Sequence, residues 1–253
     1  MKNTILSARG LCKSFAHNGG QVHILSHVDF ELYEGDFTVI MGASGSGKST
    51  LLYALSGMDR ATAGQVLYEG ENLVSMKEKG LSKLRHTDFG FIFQQMHLVS
   101  NLSLLENIAV PGYLNKEKSA TEVKERAGRL LEQMGIAHIK NHLPSQVSGG
   151  EQQRCAIARA VINSPKVLFA DEPTGALNRR NTTEVLNLLS GLNEQGQSIL
   201  MVTHDMRAAL RATRVLYLED GAIVGELTLP PYREEAEKSR EAQVNAWLSS
   251  MKW

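Results

Sequence analysis

Eight successive residues, Gly42-Ala43-Ser44-Gly45-Ser46-Gly47-Lys48-Ser49, put three glycines, an ammonium and a hydroxyl at a spacing suited to phosphate. The glycines let the backbone bend until successive N–H groups point inward at phosphate oxygens. A helix opening at Thr50-Leu51-Leu52 adds unpaired donors and a positive dipole end. Lys48 brings a full charge to the β- and γ-phosphates, and the Ser49 hydroxyl is a hard oxygen ligand for Mg²⁺. A loop that only turned the chain would have no use for Lys48-Ser49. The apolar run at 37–41 supplies the preceding strand that the pattern requires.

A second group of residues could act on what the first one binds. Val167-Leu168-Phe169-Ala170-Asp171-Glu172 is an apolar run ending in two carboxylates. Strand alternation sends adjacent side chains in different directions, so the two can hold separate tasks. Asp171 can hold Mg²⁺, through water, and Glu172 can orient or deprotonate an attacking water. Acids at a strand end also serve solubility; the phosphate loop on a neighbouring strand favours the chemical reading.

The elements needed to position these groups are legible as short apolar runs at 37–41, 167–170 and 199–202, without alternation, as in parallel strands covered on both faces. Helical patterns lie between them at 49–55, 121–134, 151–161 and 182–192. The order predicts an α/β fold with a mostly parallel sheet. Residues 65–68 and 214–224 read as additional antiparallel strands, with Glu219-Asp220-Gly221 as a turn. A helical subdomain is expected as an insertion at about 95–147. Pro230-Pro231 closes a core domain at 1–230. In the tail, 231–253, Val244, Trp247, Leu248 and Met251 fall at helical spacing on one apolar face. That face is expected to cover the domain's own surface; a dimer or permease contact is the alternative.

Composition narrows the classes. Lys plus Arg and Asp plus Glu are 27 each in 253 residues, which gives bulk attraction to nucleic acid or anionic lipid no support. No run approaches the ~18–20 apolar residues that span a bilayer, and Met1-Lys2-Asn3-Thr4 does not open a secretory signal. Two cysteines, Cys12 and Cys155, could pair on paper, but nothing suggests an oxidised framework, so a reducing compartment is the default.

Val147-Ser148-Gly149-Gly150-Glu151-Gln152-Gln153-Arg154 resembles the ABC signature, usually Leu-Ser-Gly-Gly-Gln, and stands ahead of the Asp171-Glu172 strand as in that family. By itself it could be an ordinary helix cap on Ser148. With the other motifs in order, the chain resembles the ABC ATPases over about 5–225. The resemblance implies a P-loop NTPase core with an antiparallel β subdomain and an inserted helical subdomain. It implies ATP and Mg²⁺ as cofactors, with ATP bound by Phe15, Gly42, Ala43, Ser44, Gly45, Ser46, Gly47, Lys48, Ser49 and Thr50. Catalysis falls to Glu172, His204, Gln94 and Lys48, and the metal to Ser49, Gln94 and Asp171. Gln94 matches the Q-loop glutamine and His204 the switch histidine. Phe15 matches the aromatic that stacks on adenine, core packing being its other reading. Ser148, Gly149, Gly150 and Glu151 would touch the nucleotide of a second copy. The loop after Glu172 normally ends in Asp, where this chain has Asn178; contact across a dimer could be altered.

Met41 to Ser49, Gly90-Phe91-Ile92-Phe93-Gln94, Glu106-Asn107-Ile108 and Phe169 to Leu177 look like the macrolide-exporter and lipoprotein-releasing branch, closest to bacitracin-type antimicrobial-peptide exporters. That resemblance implies an ATPase homodimer at the cytoplasmic face of a bacterial membrane. It would drive a separate permease with a large extracellular domain, whose coupling helix docks near Met96, His97 and Leu98, and bind no nucleic acid. Lipoprotein, macrolide or heme export, or a regulatory role in cell-wall or division machinery, are the alternatives. A translation or DNA-repair ABC protein would carry two motif sets or a coiled coil, and a nucleotide kinase would have no use for Ser148-Gly149-Gly150.

Overall fold

The computed structural model describes residues 3–17, 20–116, 118–251 and 253. The reading of the chain start falls partly on Met1 and Lys2, outside the described residues. In chain order the elements are β1 (Thr4–His17), β2 (Gly20–Tyr33), β3 (Phe37–Met41), α1 (Lys48–Leu55), β4 (Ala63–Tyr68), β5 (Glu71–Asn72), α2 (Glu78–Thr87), β6 (Phe89–Phe93), α3 (Leu104–Leu114), α4 (Ala120–Gln133), α5 (Gly149–Val161), β7 (Val167–Asp171), α6 (Arg179–Glu194), β8 (Ser198–Val202), α7 (Met206–Ala209), β9 (Arg214–Glu219), β10 (Ala222–Thr228) and α8 (Glu237–Ser250). The fold is α/β, and the chain forms two compact units, 1–81 with 192–253, and 82–191.

In the first unit β3 pairs in parallel with β8 and with β9, and β10 returns antiparallel to β9. Every residue of β3 and β8 is buried, which is why neither strand alternates in sequence. A second sheet, ordered β2-β1-β4-β5, is antiparallel. The register of β1 slips between Ala8 and Leu11, a bulge at Gly10. There the chain of Gly64 comes so close that a Cβ on it would lie 2.4 Å from the Gly10 carbonyl oxygen. α8 also belongs to this unit. It buries Val244 and Leu248, and Trp247 and Met251 lie over Gly225 of β10.

In the second unit β6 and β7 run parallel. Phe169 meets Phe89 edge-on at 5.2 Å and stacks on Phe91 at 5.5 Å. The stretch expected to be helical carries α3, α4 and single turns at Ala137–Ile139 and Pro144–Gln146. α3 and α4 open on capping boxes, Ser103 with Glu106 and Ser119 with Glu122. Arg126 of α4 donates to the carbonyls of Val161 and Ile162, closing the end of α5. Cys12 and Cys155 are free thiols. Among the described residues no helix is long and apolar enough to cross a membrane.

Candidate active site

The phosphate loop leaves the buried end of β3 and enters α1 in the first unit. Gly45 and Gly47 take left-handed backbone, φ 82° and 100°. At Gly42 a Cβ would meet the Leu218 carbonyl oxygen at 2.2 Å, so only glycine fits. α1 starts at Gly47 with no side chain capping it. Its first N–H groups are therefore donors at a positive helix end, with Ala43, Ser44 and Gly45 exposed beside them. The Lys48 ammonium is drawn over the loop by the carbonyls of Gly42 and Ala43, 2.9 and 2.8 Å away. Ser49 and Thr50 follow, half-buried, on the first turn.

His204 emerges at the same sheet edge. Ile40 and Val202 are register partners, so β3 and β8 deliver Gly42 and His204 side by side in sequence order. The Thr203 N–H donates to the Ile40 carbonyl at 3.1 Å, and the Asp205 N–H to the Thr203 hydroxyl at 3.0 Å. Asp205 then caps α7 through the Arg207 N–H. His204 itself is exposed between these anchors.

Phe15, in β1, is 44% exposed, which removes core packing as its role. One face of its ring has the Lys13 ammonium 4.7 Å from the centroid. Lys13 is fixed by Asp59 at 2.6 Å and the Arg60 carbonyl at 2.7 Å. Such a ring, backed by a cation, can present its opposite face to a flat base.

The second unit holds the other candidates. Phe93 and Asp171 are register partners, so Gln94 and Glu172 leave β6 and β7 at one edge. Glu172 has left-handed backbone, φ 47°, a strained geometry that for a non-glycine residue clusters at functional sites. The turn that follows passes close to Gln94: a Cβ on Gly175 would lie 2.9 Å from its Nε2. At the start of α5, Ser148 and Gly149 are exposed and Gly150 is buried. Ser148 does cap the helix, and Glu151 caps Ser148 in return, a complete capping box. A Cβ on Gly150 would lie 2.4 Å from the Asn181 side chain. Asn178 accepts the Asn181 N–H at 2.9 Å just ahead of α6. This unit thus brings together the residues of the signature and those at Asn178.

Two residues with no motif of their own hold the chain on either side of Gln94. Gln153 of α5, fully buried, donates to the Phe93 carbonyl at 3.3 Å. Arg159, two turns on, donates to the carbonyls of Met96 and His97, both at 2.6 Å. The signal was a polar residue on the apolar face of α5, between Gly150 and Ile157.

The family model described as ABC transporter matches residues 25–175. The chain is similar to the solved structure of MJ0796, described as a bacterial ABC transporter cassette, in a dimeric form. It is equally similar to the dimeric post-hydrolysis state of MJ0796 bound to ADP and Pi. In each case identity is 35%, the TM-score is 0.83, and the match covers 90% of this chain and 100% of the other.

Proposed function

Because this chain belongs to the ABC transporter family and is an ATP-hydrolysing cassette of it, we propose that it works as a homodimer driving a separate membrane permease. One observation carries the reading. α3, α4 and α5 each open on a Ser–Glu capping box, whereas α1 opens on glycine under a lysine-bearing loop. Its N–H donors suit a triphosphate. Lys48 supplies the charge, and the exposed face of Phe15 takes the adenine.

The residues proposed for Mg²⁺, Ser49, Asp171 and Gln94, carry a hydroxyl, a carboxylate and an amide oxygen, hard donors of the type this ion takes. When bound, Mg²⁺ supplies neutralising charge to the phosphates. Glu172 holds or takes the proton of the attacking water, and His204 contacts the γ-phosphate. Ser148, Gly149, Gly150 and Glu151 close on the nucleotide of a second copy, as MJ0796 dimers lend support to. The dimer opens when hydrolysis removes the γ-phosphate contacts.

The finer reading is export or mechanotransmission for antimicrobial peptides or other amphipathic substrates. It places the chain at the cytoplasmic face of a bacterial membrane, held by a permease with a large extracellular domain. Recovery of such a permease with the cassette from detergent-solubilised membranes tests that part.

Glu172→Gln tests the core of the proposal. The variant should bind MgATP, lose turnover, and shift to a dimer in size-exclusion chromatography with light scattering. Hydrolysis at the parental rate would remove Glu172 from the mechanism; a persistent monomer with bound ATP would remove the dimer.

A further inference from the structure

Arg240 of α8 is 4% exposed, and among the described residues its hydrogen bonds reach no carboxylate. Its fork goes to three backbone carbonyls: Leu210 at 2.5 Å, Pro230 at 2.7 Å, and Ala212. Tyr232 flanks it, the guanidinium carbon 5.9 Å from the ring centroid, with Arg211 on the same ring at 4.0 Å. A buried cation without a counter-ion is expensive, and a leucine would fill the space at no such cost. What a guanidinium adds is a rigid set of donors that fixes several carbonyls at once.

The three carbonyls are not scattered. Leu210 closes α7, and Ala212 lies in the loop that leads from it into β9, two residues before Arg214. Pro230 lies just past the end of β10. The segment 203–212 is thus held at both ends. Its start is fixed to β3 by Thr203, and its end is gripped by Arg240. His204 lies inside it, and Ala208, Ala209 and Ala212 are fully buried beneath.

We infer that Arg240 is a positioning residue for His204, its guanidinium fork acting as a latch on the segment that carries this histidine at the sheet edge. This rests on the role proposed for His204. Thr213, whose N–H donates to the Phe37 carbonyl at 2.8 Å, still ties the chain to β3 when the fork is lost, but the carbonyls of Leu210 and Ala212 are released while the phosphate loop stays intact, so turnover should fall without weaker nucleotide binding.

The test compares steady-state ATP hydrolysis by full-length Arg240→Met, Arg240→Lys, Val244→Ala and His204→Ala, each well below its own melting temperature. Arg240→Met should lose kcat by roughly tenfold to a hundredfold, the scale of small misplacements, at unchanged KM. Arg240→Lys should recover part of it. Val244→Ala loosens α8 without touching the fork and should keep the parental kcat. Parental kcat in both Arg240 variants beside an inactive His204→Ala would overturn the latch. So would an equal loss of kcat in Val244→Ala, because α8 packing alone would then explain it. If Arg240→Met does not fold, the lysine variant carries the same comparison. Parental turnover in His204→Ala would instead sink the site reading beneath it.

Discussion

The Glu151 carboxylate accepts hydrogen bonds from both the N–H and the hydroxyl of Ser148, each at 2.7 Å. The Ser148 hydroxyl first, and its N–H second, hold the Glu151 carboxyl below the ordinary carboxylate value, with Arg154 and His138 adding smaller effects against a small opposing burial. A depressed folded value means stability present above the unfolded carboxylate range and lost as pH falls through the folded one. The melting-temperature gap between the parental chain and Glu151→Ala should therefore be steady near neutral pH. It should begin to narrow as pH drops below about 4 and close only below the depressed folded value. A gap that persists in acid would show that the ionised cap is not its source.

Asn178 caps α6, a task its oxygen performs as an aspartate would. Asn178→Ala should cost about 1 kcal/mol in urea unfolding. Asn178→Asp should hold or gain a few tenths, because a negative charge suits a helix start. Equal losses in both variants would rule out capping.

Gly150→Ala forces a methyl group onto the Asn181 side chain. The expected loss is about 1–3 kcal/mol, typical of overpacking. Adding Asn181→Ala should return most of it. A double-mutant cycle reads the coupling directly, and additive losses would mean the contact is not the cause.

Lys48→Ala removes the ammonium that Gly42 and Ala43 hold over the loop. Charged hydrogen bonds contribute about 1.5–3 kcal/mol each. MgATP affinity by calorimetry should therefore fall at least roughly tenfold. Undiminished affinity would leave Lys48 a structural clamp.

Much of this was readable from residue order. The strands β3, β7 and β8 stood out because their apolar residues run on without alternation: 167–170 and 199–202 are four apolar residues each, and Thr38 alone interrupts 37–41. The expected 37–41 and 199–202 fall within Phe37–Met41 and Ser198–Val202. The hairpin at Asp220-Gly221 was equally plain, since Asp220 and Gly221 both adopt positive φ. The 14-residue strands β1 and β2 are not legible in the sequence. A bulge at Gly10 and polar, exposed residues along β2 break the period-two pattern. β6 carries a motif but no strand pattern of its own, and Pro111 obscures α3. In the site, the glycine loop and the acidic pair were visible because their chemistry is local. The supports flanking Gln94 were not, because Gln153 and Arg159 reach Phe93, Met96 and His97 from a helix about 60 residues further along the chain, across a fold that periodicity does not reveal.

With Glu172 acting as proposed, its left-handed backbone sets turnover against durability. Glutamate resists that geometry, by about 1–2 kcal/mol, whereas glycine accepts it freely and asparagine readily. A library of this chain screened for heat resistance alone would drift toward glycine or asparagine at position 172, yielding sturdier proteins that hold their fuel and never burn it.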